Sequence, residues 1–188
     1  MNNYNVSQIL TFFRLGASVL LVPPLFLSVD WAAGYAPARV LLIVCWFILS
    51  LTDFFDGWLA RRYGLQTTLG QVADHVADKI FVSTLLILFA GAGRIASWVV
   101  VLLVAREFFV LGIREAALCE KFQVPVDRLG KYKAAAQMVL LGWLMLKPVA
   151  EVGIIDTMLI MLTLALSSIS AWGYARAYLR QRGHSSKK

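Results

Sequence analysis

The stretch from Asp53 to Asp78 sets four carboxylates between two long apolar segments, and any fold for this chain has to give those charges a use. With its flanks it reads LTDFFDGWLARRYGLQTTLGQVADHVADKI, the pattern D-x2-D-G-x2-A-R-x8-G-x3-D-x3-D, filled by Asp53, Asp56, Gly57, Ala60, Arg61, Gly70, Asp74 and Asp78. At roughly 100° per helical residue, Asp53 and Asp56 (i, i+3) share one helix face, and Asp74 and Asp78 (i, i+4) share another. Two such helices could converge all four carboxylates on one point. Converging carboxylates repel unless cations sit between them, and the hard divalent ions that prefer oxygen ligands, Mg²⁺ or Mn²⁺, are the natural occupants. Solvated surface acids are a poor account of them, because ionisable groups in membrane-grade segments are costly and ordinarily functional.

The segments around this stretch are of membrane grade. Hydrophobic residues make up 60% of the 188-residue chain and mean hydropathy is +0.72, which excludes an ordinary soluble domain and implies one integral membrane domain over residues 1–188. The formal charge of +7 gathers in a few loops and in a basic tail, about residues 175–188. A basic edge against anionic lipid headgroups accounts for it; no nucleic-acid reading module is present, so no nucleic-acid partner is expected. Cys45 and Cys119 lie on different apolar segments and read as packing residues rather than a disulfide or metal pair. The N-terminus lacks a basic region and a small-residue cleavage site, so the first apolar stretch is expected to stay as an anchor.

Read in order, the chain predicts an all-α membrane protein: a short interfacial amphipathic helix followed by six transmembrane helices. Val6, Ile9, Leu10 and Phe13 recur at helical spacing among polar residues, which suits the interfacial helix. The first span, Leu15 to Val29, contains Pro23-Pro24, read as a tolerated kink. Further spans are expected over about Arg39–Arg61, Gly70–Ala90, Ile95–Leu118, Gly130–Leu146 and Ile154–Tyr174, with a tight turn at Gly91–Gly93. Arg61, Arg62, Lys121, Arg128, Lys131, Lys133 and the tail fall on one side, against Arg39, Arg94 and Lys147 on the other. By the positive-inside rule the first side is cytoplasmic, and all four aspartates lie at cytoplasmic ends of their spans. No internal repeat or low-complexity segment interrupts this plan.

A four-carboxylate site for two divalent ions suits displacement at phosphorus. A covalent intermediate is not expected, because the stretch holds no Ser or Cys nucleophile with an adjacent base, and His75 reads as a packing residue. Arg106 and Arg114, about 80° apart around the fourth span, and Lys131 and Lys133 at the start of the fifth could line one cationic cavity that selects an anionic acceptor. Part of that charge could instead be structural, with Glu107 pairing Arg114 along one stripe.

The eight-position pattern resembles the signature of the CDP-alcohol phosphatidyltransferases. NVSQILTFFR, AREFFVLGIRE and GKYKAAAQM extend the likeness over most of the chain, toward the bacterial branch that uses sn-glycerol 3-phosphate. His75 departs from it, standing where that branch commonly carries Pro, and alters no expected ligand. The resemblance implies a CDP-diacylglycerol donor attacked at its lipid-side phosphorus by an acceptor hydroxyl, with CMP leaving. It implies two metals held by Asp53, Asp56, Asp74 and Asp78, with Asp78 also the catalytic base, and a donor site built from Gly57, Ala60, Arg61, Thr67 and Gly70. It further implies that Arg106, Arg114, Lys131 and Lys133 hold the phosphate of sn-glycerol 3-phosphate, and that the protein is a homodimer among the lipids of the bacterial inner membrane. Another acceptor, such as an inositol phosphate, serine or phosphatidylglycerol, would use the same chemistry. A cation transporter is the rival from another class, though neither discontinuous helices nor symmetric halves are visible.

Overall fold

A computed structural model describes residues 12–31, 36–63, 68–120, 128–147 and 153–185, with the backbone alone at 53–63, 68–75, 118, 128 and 183–185. Six helices account for most of it: α1 (Phe12–Leu27), α2 (Pro37–Tyr63), α3 (Thr68–Gly91), α4 (Ser97–Cys119), α5 (Arg128–Leu146) and α6 (Ile154–Ser185). No strand occurs among the described residues. The chain forms two compact units, one of residues 1–93 with 145–150 and one of residues 94–144 with 151–188.

In the first unit α1 is not uniform. Ala17–Leu21 form a π-helical turn just before Pro23 and Pro24. Proline lacks the N–H that would close an α-helical ring, and a locally loosened turn takes up that mismatch without ending the helix. The expected kink is therefore a π turn. Arg14, Ser18, Val22 and Phe26 are buried along one side of α1, and the Ser18 hydroxyl donates to the Arg14 carbonyl at 2.6 Å. Phe26 meets Phe89 of α3 edge-on at 5.0 Å between centroids and Trp31 at 4.9 Å, an arrangement aromatic quadrupoles favour. The end of α3 is closed by Gly93, whose φ of 68° is the left-handed conformation that terminates helices and that glycine adopts without a Cβ clash.

Arg39, expected only as an outward-facing charge, is fully buried in this unit. Its Nε donates to the Met145 carbonyl at 2.9 Å, its Nη2 donates to the Lys147 carbonyl, and its guanidinium lies 5.3 Å from the Trp31 ring centre. The last carbonyls of a helix have no partner within it, so a cation brought from a distant segment satisfies them and the negative end of the dipole together.

The second unit is built on the pairing of α4 with α6. The buried residues of α6 are Asp156, Ile160, Thr163, Ser167, Ser170 and Tyr174, at alternating spacings of four and three; Val100, Leu103, Glu107, Val110 and Ala117 of α4 keep the same rhythm. That is the repeat of a coiled-coil seam, and its small hydroxyl residues let two helices approach where there is no water to drive them together. At the start of α6, Asp156 accepts from the Gly153 backbone N–H three residues back and from Trp143 Nε1 of α5 at 2.7 Å. This is the return half of a capping box, which satisfies orphan donors and ties α5 to α6.

The expected tail is helix instead. α6 runs on to Ser185, and Glu120, just past α4, accepts from the Tyr178 hydroxyl at 3.0 Å and pairs Arg182 Nε at 3.6 Å.

Several polar groups sit inside while many large apolar ones lie outside. Arg39, Glu107, Thr163 and Ser170 are buried, whereas Val40, Leu41, Val44, Phe47 and Ile48 of α2, and Trp98, Val101, Phe108 and Phe109 of α4, are exposed. Apolar surface on that scale requires a membrane or a partner. Ile154–Arg182 is long and apolar enough to cross a bilayer; Phe12–Leu27 and Pro37–Thr52 are apolar but shorter. Six spans are thus more than length and composition of the described helices establish, because the other helices carry charge within their length.

Candidate active site

The carboxylates belong to the first unit. α2 is helical without a break through Asp53 and Asp56, as is α3 through Asp74 and Asp78, so the three- and four-residue spacings each place a pair on one face of a real helix. Gly57, Ala60 and Arg61 lie on the last turns of α2, and Gly70 lies on the first turn of α3. The side chains of Asp53, Asp56, Arg61, Asp74 and His75 lie outside the described residues, and Thr67 lies outside them altogether. Asp78 is described and half-buried. It stands beside Ala77 and three residues before Phe81, both buried, so it lies where the packed face of α3 gives way to the acidic one. The donor set is all oxygen, and it fits hard divalent cations rather than softer metals.

The four cations expected at an acceptor belong to the second unit, which treats them unequally. Arg106 is held by three bonds: Nε to the Ser167 carbonyl at 3.0 Å, Nη2 to the Ser170 hydroxyl at 2.8 Å, and Nη1 to Glu107 at 3.2 Å. The Lys133 ammonium also binds Glu107, and both of those side chains are almost entirely buried. One carboxylate thus joins α4 to α5, while Arg106 joins α4 to α6. Arg114, about two turns beyond Glu107 on α4, stacks over the Tyr174 ring at 5.5 Å. Glu107 therefore takes Arg106 and Lys133 and leaves Arg114 to an aromatic face.

Lys131 and Lys133 part company for a simple reason. Two residues advance a helix by roughly 200°, so a buried Lys133 puts Lys131 on the far side, where it is exposed. Structure thus brings Arg106, Arg114 and Lys133 around one stretch of α6 and leaves Lys131 facing out. At the start of α5, a Cβ added to Gly130 would lie 3.6 Å from the Tyr174 hydroxyl and 3.9 Å from the Ser170 hydroxyl, so α5 approaches α6 closely beside Lys131 and Lys133. Tyr174 and Ser170 are members of this cluster that sequence reasoning missed. Their signal was present as the hydroxyl-bearing stripe of α6, Thr163, Ser167, Ser170 and Tyr174.

Comparison with known proteins converges on one family. Residues 4–169 match the family model described as CDP-alcohol phosphatidyltransferase. Proteins named CDP-diacylglycerol--glycerol-3-phosphate 3-phosphatidyltransferase are similar over most of their length. That of Salmonella choleraesuis is 38% identical over 77% of this chain and 79% of its own, and that of Escherichia coli K12 is 36% identical over the same shares. The one from Rickettsia felis is 31% identical over 86% of this chain and 90% of its own.

Proposed function

Because the chain belongs to the CDP-alcohol phosphatidyltransferase family, we propose that it performs the reaction for which its relatives are named, as a phosphatidylglycerophosphate synthase. It is a transferase of phospholipid biosynthesis, moving the phosphatidyl group of CDP-diacylglycerol to sn-glycerol 3-phosphate. The observation that carries this reading is likeness to three such enzymes across at least 77% of the chain, a span that includes the whole acidic signature.

The acceptor hydroxyl oxygen bonds to the lipid-side phosphorus, the bond from that phosphorus to the oxygen of CMP breaks, and Asp78 takes the hydroxyl proton. Asp53, Asp56, Asp74 and Asp78 would hold two divalent cations, Mg²⁺ or Mn²⁺, which supply charge neutralisation at the donor phosphates and acidify the hydroxyl. Gly57 and Ala60 keep α2 slim enough for the nucleotide to approach its backbone, and Gly70 does so on α3. Arg61 presents a fork suited to phosphate oxygens, and Thr67 adds a hydroxyl. Arg106, Arg114, Lys131 and Lys133 favour a phosphorylated acceptor over an uncharged one.

The chain acts as one membrane domain, residues 1–188, with an interfacial helix and six spans in the bacterial inner membrane. Its acidic site faces the cytoplasm, and the protein works as a homodimer. Purified protein supplied with CDP-diacylglycerol, Mg²⁺ or Mn²⁺ and a panel of acceptors is expected to release CMP and form phosphatidylglycerophosphate only with sn-glycerol 3-phosphate. A different lipid product would replace the acceptor, and ion flux without CMP release would replace the enzyme.

A further inference from the structure

A groove of about 640 Å³ runs between α4 and α6 in the second unit, on the side away from the Glu107–Lys133 pair. Its walls are large, Leu102 and Phe109 on α4 and Trp172 on α6; its floor is small, Ser168, Ala171 and Ala175. Two features set it apart from plain lipid-facing surface. Ser167 lines it, is 2% exposed, and its hydroxyl has no hydrogen-bond partner among the described residues. Arg106 also lines it, and only three of its five N–H groups are engaged by described residues. A buried hydroxyl without a partner is costly, and an acceptor oxygen arriving from outside would relieve it.

Apart from Arg106, charge exposed beside this groove stands at one end among the described residues. Ser168 and Trp172 lie on a stripe of α6 that continues four residues past Trp172 to Arg176 and four further to Arg180, and both arginines are exposed. Arg176 folds back over the Trp172 ring at 5.7 Å, which brings its guanidinium to the groove's mouth. By helical rise Trp172 is about 27 Å from Ile154 and Arg176 about 33 Å, so the pair straddles the edge of a hydrocarbon layer about 30 Å thick. Aromatic residues and folded-back arginines gather at that boundary. Ser167 lies about 7.5 Å deeper than Trp172, the side on which the ester oxygens of a lipid follow its phosphate.

We propose that the α4–α6 groove is a binding site for one anionic phospholipid of the surrounding membrane. Its phosphate meets Arg176 and Arg180, an ester carbonyl accepts from Ser167 and Arg106, and the upper part of one chain lies against Leu102, Phe109 and Leu164. The polar contacts within the groove and the exposed arginines at one end favour a lipid over a second copy of the chain, which would need no headgroup site.

The test uses the whole protein in phosphatidylcholine nanodiscs, titrated with brominated-chain phosphatidylglycerol or brominated-chain phosphatidylcholine. Quenching at Trp172 is read as the difference between the protein and its Trp172→Phe variant. The anionic lipid is expected to half-quench at about a fivefold lower mole fraction, and the double change Arg176→Gln with Arg180→Gln should bring the two lipids within about twofold. Ala171→Phe, which fills the floor, should reduce quenching by both. Equal quenching by the two lipids in the unaltered protein, or a preference that survives loss of both arginines, overturns the site. If Ala171→Phe splits a dimer and no headgroup preference exists, the groove belongs to a second copy.

Discussion

Charges inside the apolar helices of the two units are managed in opposite ways. In the first unit no Lys or Arg stands three or four residues from Asp53, Asp56, Asp74 or Asp78; the ionisable neighbour at helical distance is in each case another of the four aspartates, with His75 added for Asp78. In the second unit Glu107 is bonded at once to its neighbour Arg106 and to Lys133, and Arg106 is further held by α6. Carboxylates spaced to share a helix face repel one another, and cations arriving from outside relieve that repulsion. A cluster that carries its own counterion is complete before any substrate is bound. The first arrangement suits the metal chemistry proposed above and the second, in large part, architecture, so equal-looking substitutions in the two should fail differently.

The largest effect is expected at the acids. Asp56→Asn or Asp74→Asn should lower turnover at least about a thousandfold, the equivalent of about 4 kcal/mol of transition-state stabilisation. Thermal stability without added metal should hold or rise, because one member of a repelling set is gone. Activity assays at limiting Mg²⁺, paired with melting curves, check both halves. Near-normal turnover in either variant would remove the two-metal assignment, and a large fall in melting temperature would make the acids architectural after all.

Glu107→Gln should reverse that pattern. Removing one partner of a buried pair takes the countercharge from Lys133 at the α4–α5 contact and one of three partners from Arg106, a change that commonly costs about 3 to 5 kcal/mol. For a chain of this size the melting temperature should fall by roughly 6 °C or more. Replacing both partners, Glu107→Leu with Lys133→Met, should recover much of the loss, since an apolar pair of similar volume tolerates burial. If Glu107→Gln alone melts like the unaltered protein, the cluster is not the architectural half of the contrast.

These contrasts also mark how far the sequence could be read. Helix limits in α2 to α5 fall within about two residues of expectation, because Gly91–Gly93, the polar run after Glu120 and the runs of apolar residues are local signals. What escaped depends on partners far along the chain. Arg39 looked like a topology charge until its acceptors, the carbonyls of Met145 and Lys147, lay beside it, more than a hundred residues away. Glu107 looked like a partner for Arg114, seven residues on, and instead met Lys133 on the next helix. The end of α6 was misplaced because Arg176, Arg180 and Arg182 read as tail, although arginine is a good helix former and Glu120 holds that last stretch. The helices that carry the acidic signature were legible from spacing alone.

Within the second unit the cations themselves divide. Arg114 rests on the Tyr174 ring, a contact worth about 0.5 to 1 kcal/mol, so Arg114→Ala should melt within a few degrees of the unaltered protein. Its loss should appear in substrate binding, raising the KM for sn-glycerol 3-phosphate about tenfold, the factor that about 1.4 kcal/mol represents, with little change for CDP-diacylglycerol. Exposed Lys131 is more strongly hydrated, and Lys131→Ala should raise the same KM by less than Arg114→Ala does. Equal losses for both substrates would make Arg114 structural, and an unchanged acceptor KM in both variants would take away the basis for a phosphorylated acceptor.

The smallest effect isolates what α6 adds to the cluster. Ser170→Ala deletes the acceptor of Arg106 Nη2 but leaves Arg106 bonded to the Ser167 carbonyl and to Glu107. Hydrogen bonds between membrane helices average about 0.6 kcal/mol, because the separated helices find other partners, and a charged donor raises that somewhat. The hydroxyl is also small, so its removal opens little space where Gly130 lets α5 come close. A fall in melting temperature of roughly 2 to 4 °C with an unaltered acceptor KM is therefore expected. A KM that rises as far as in Arg114→Ala would show that α6 aims Arg106 at the acceptor, and the line between chemistry and architecture would then run through Arg106 itself rather than between the two units.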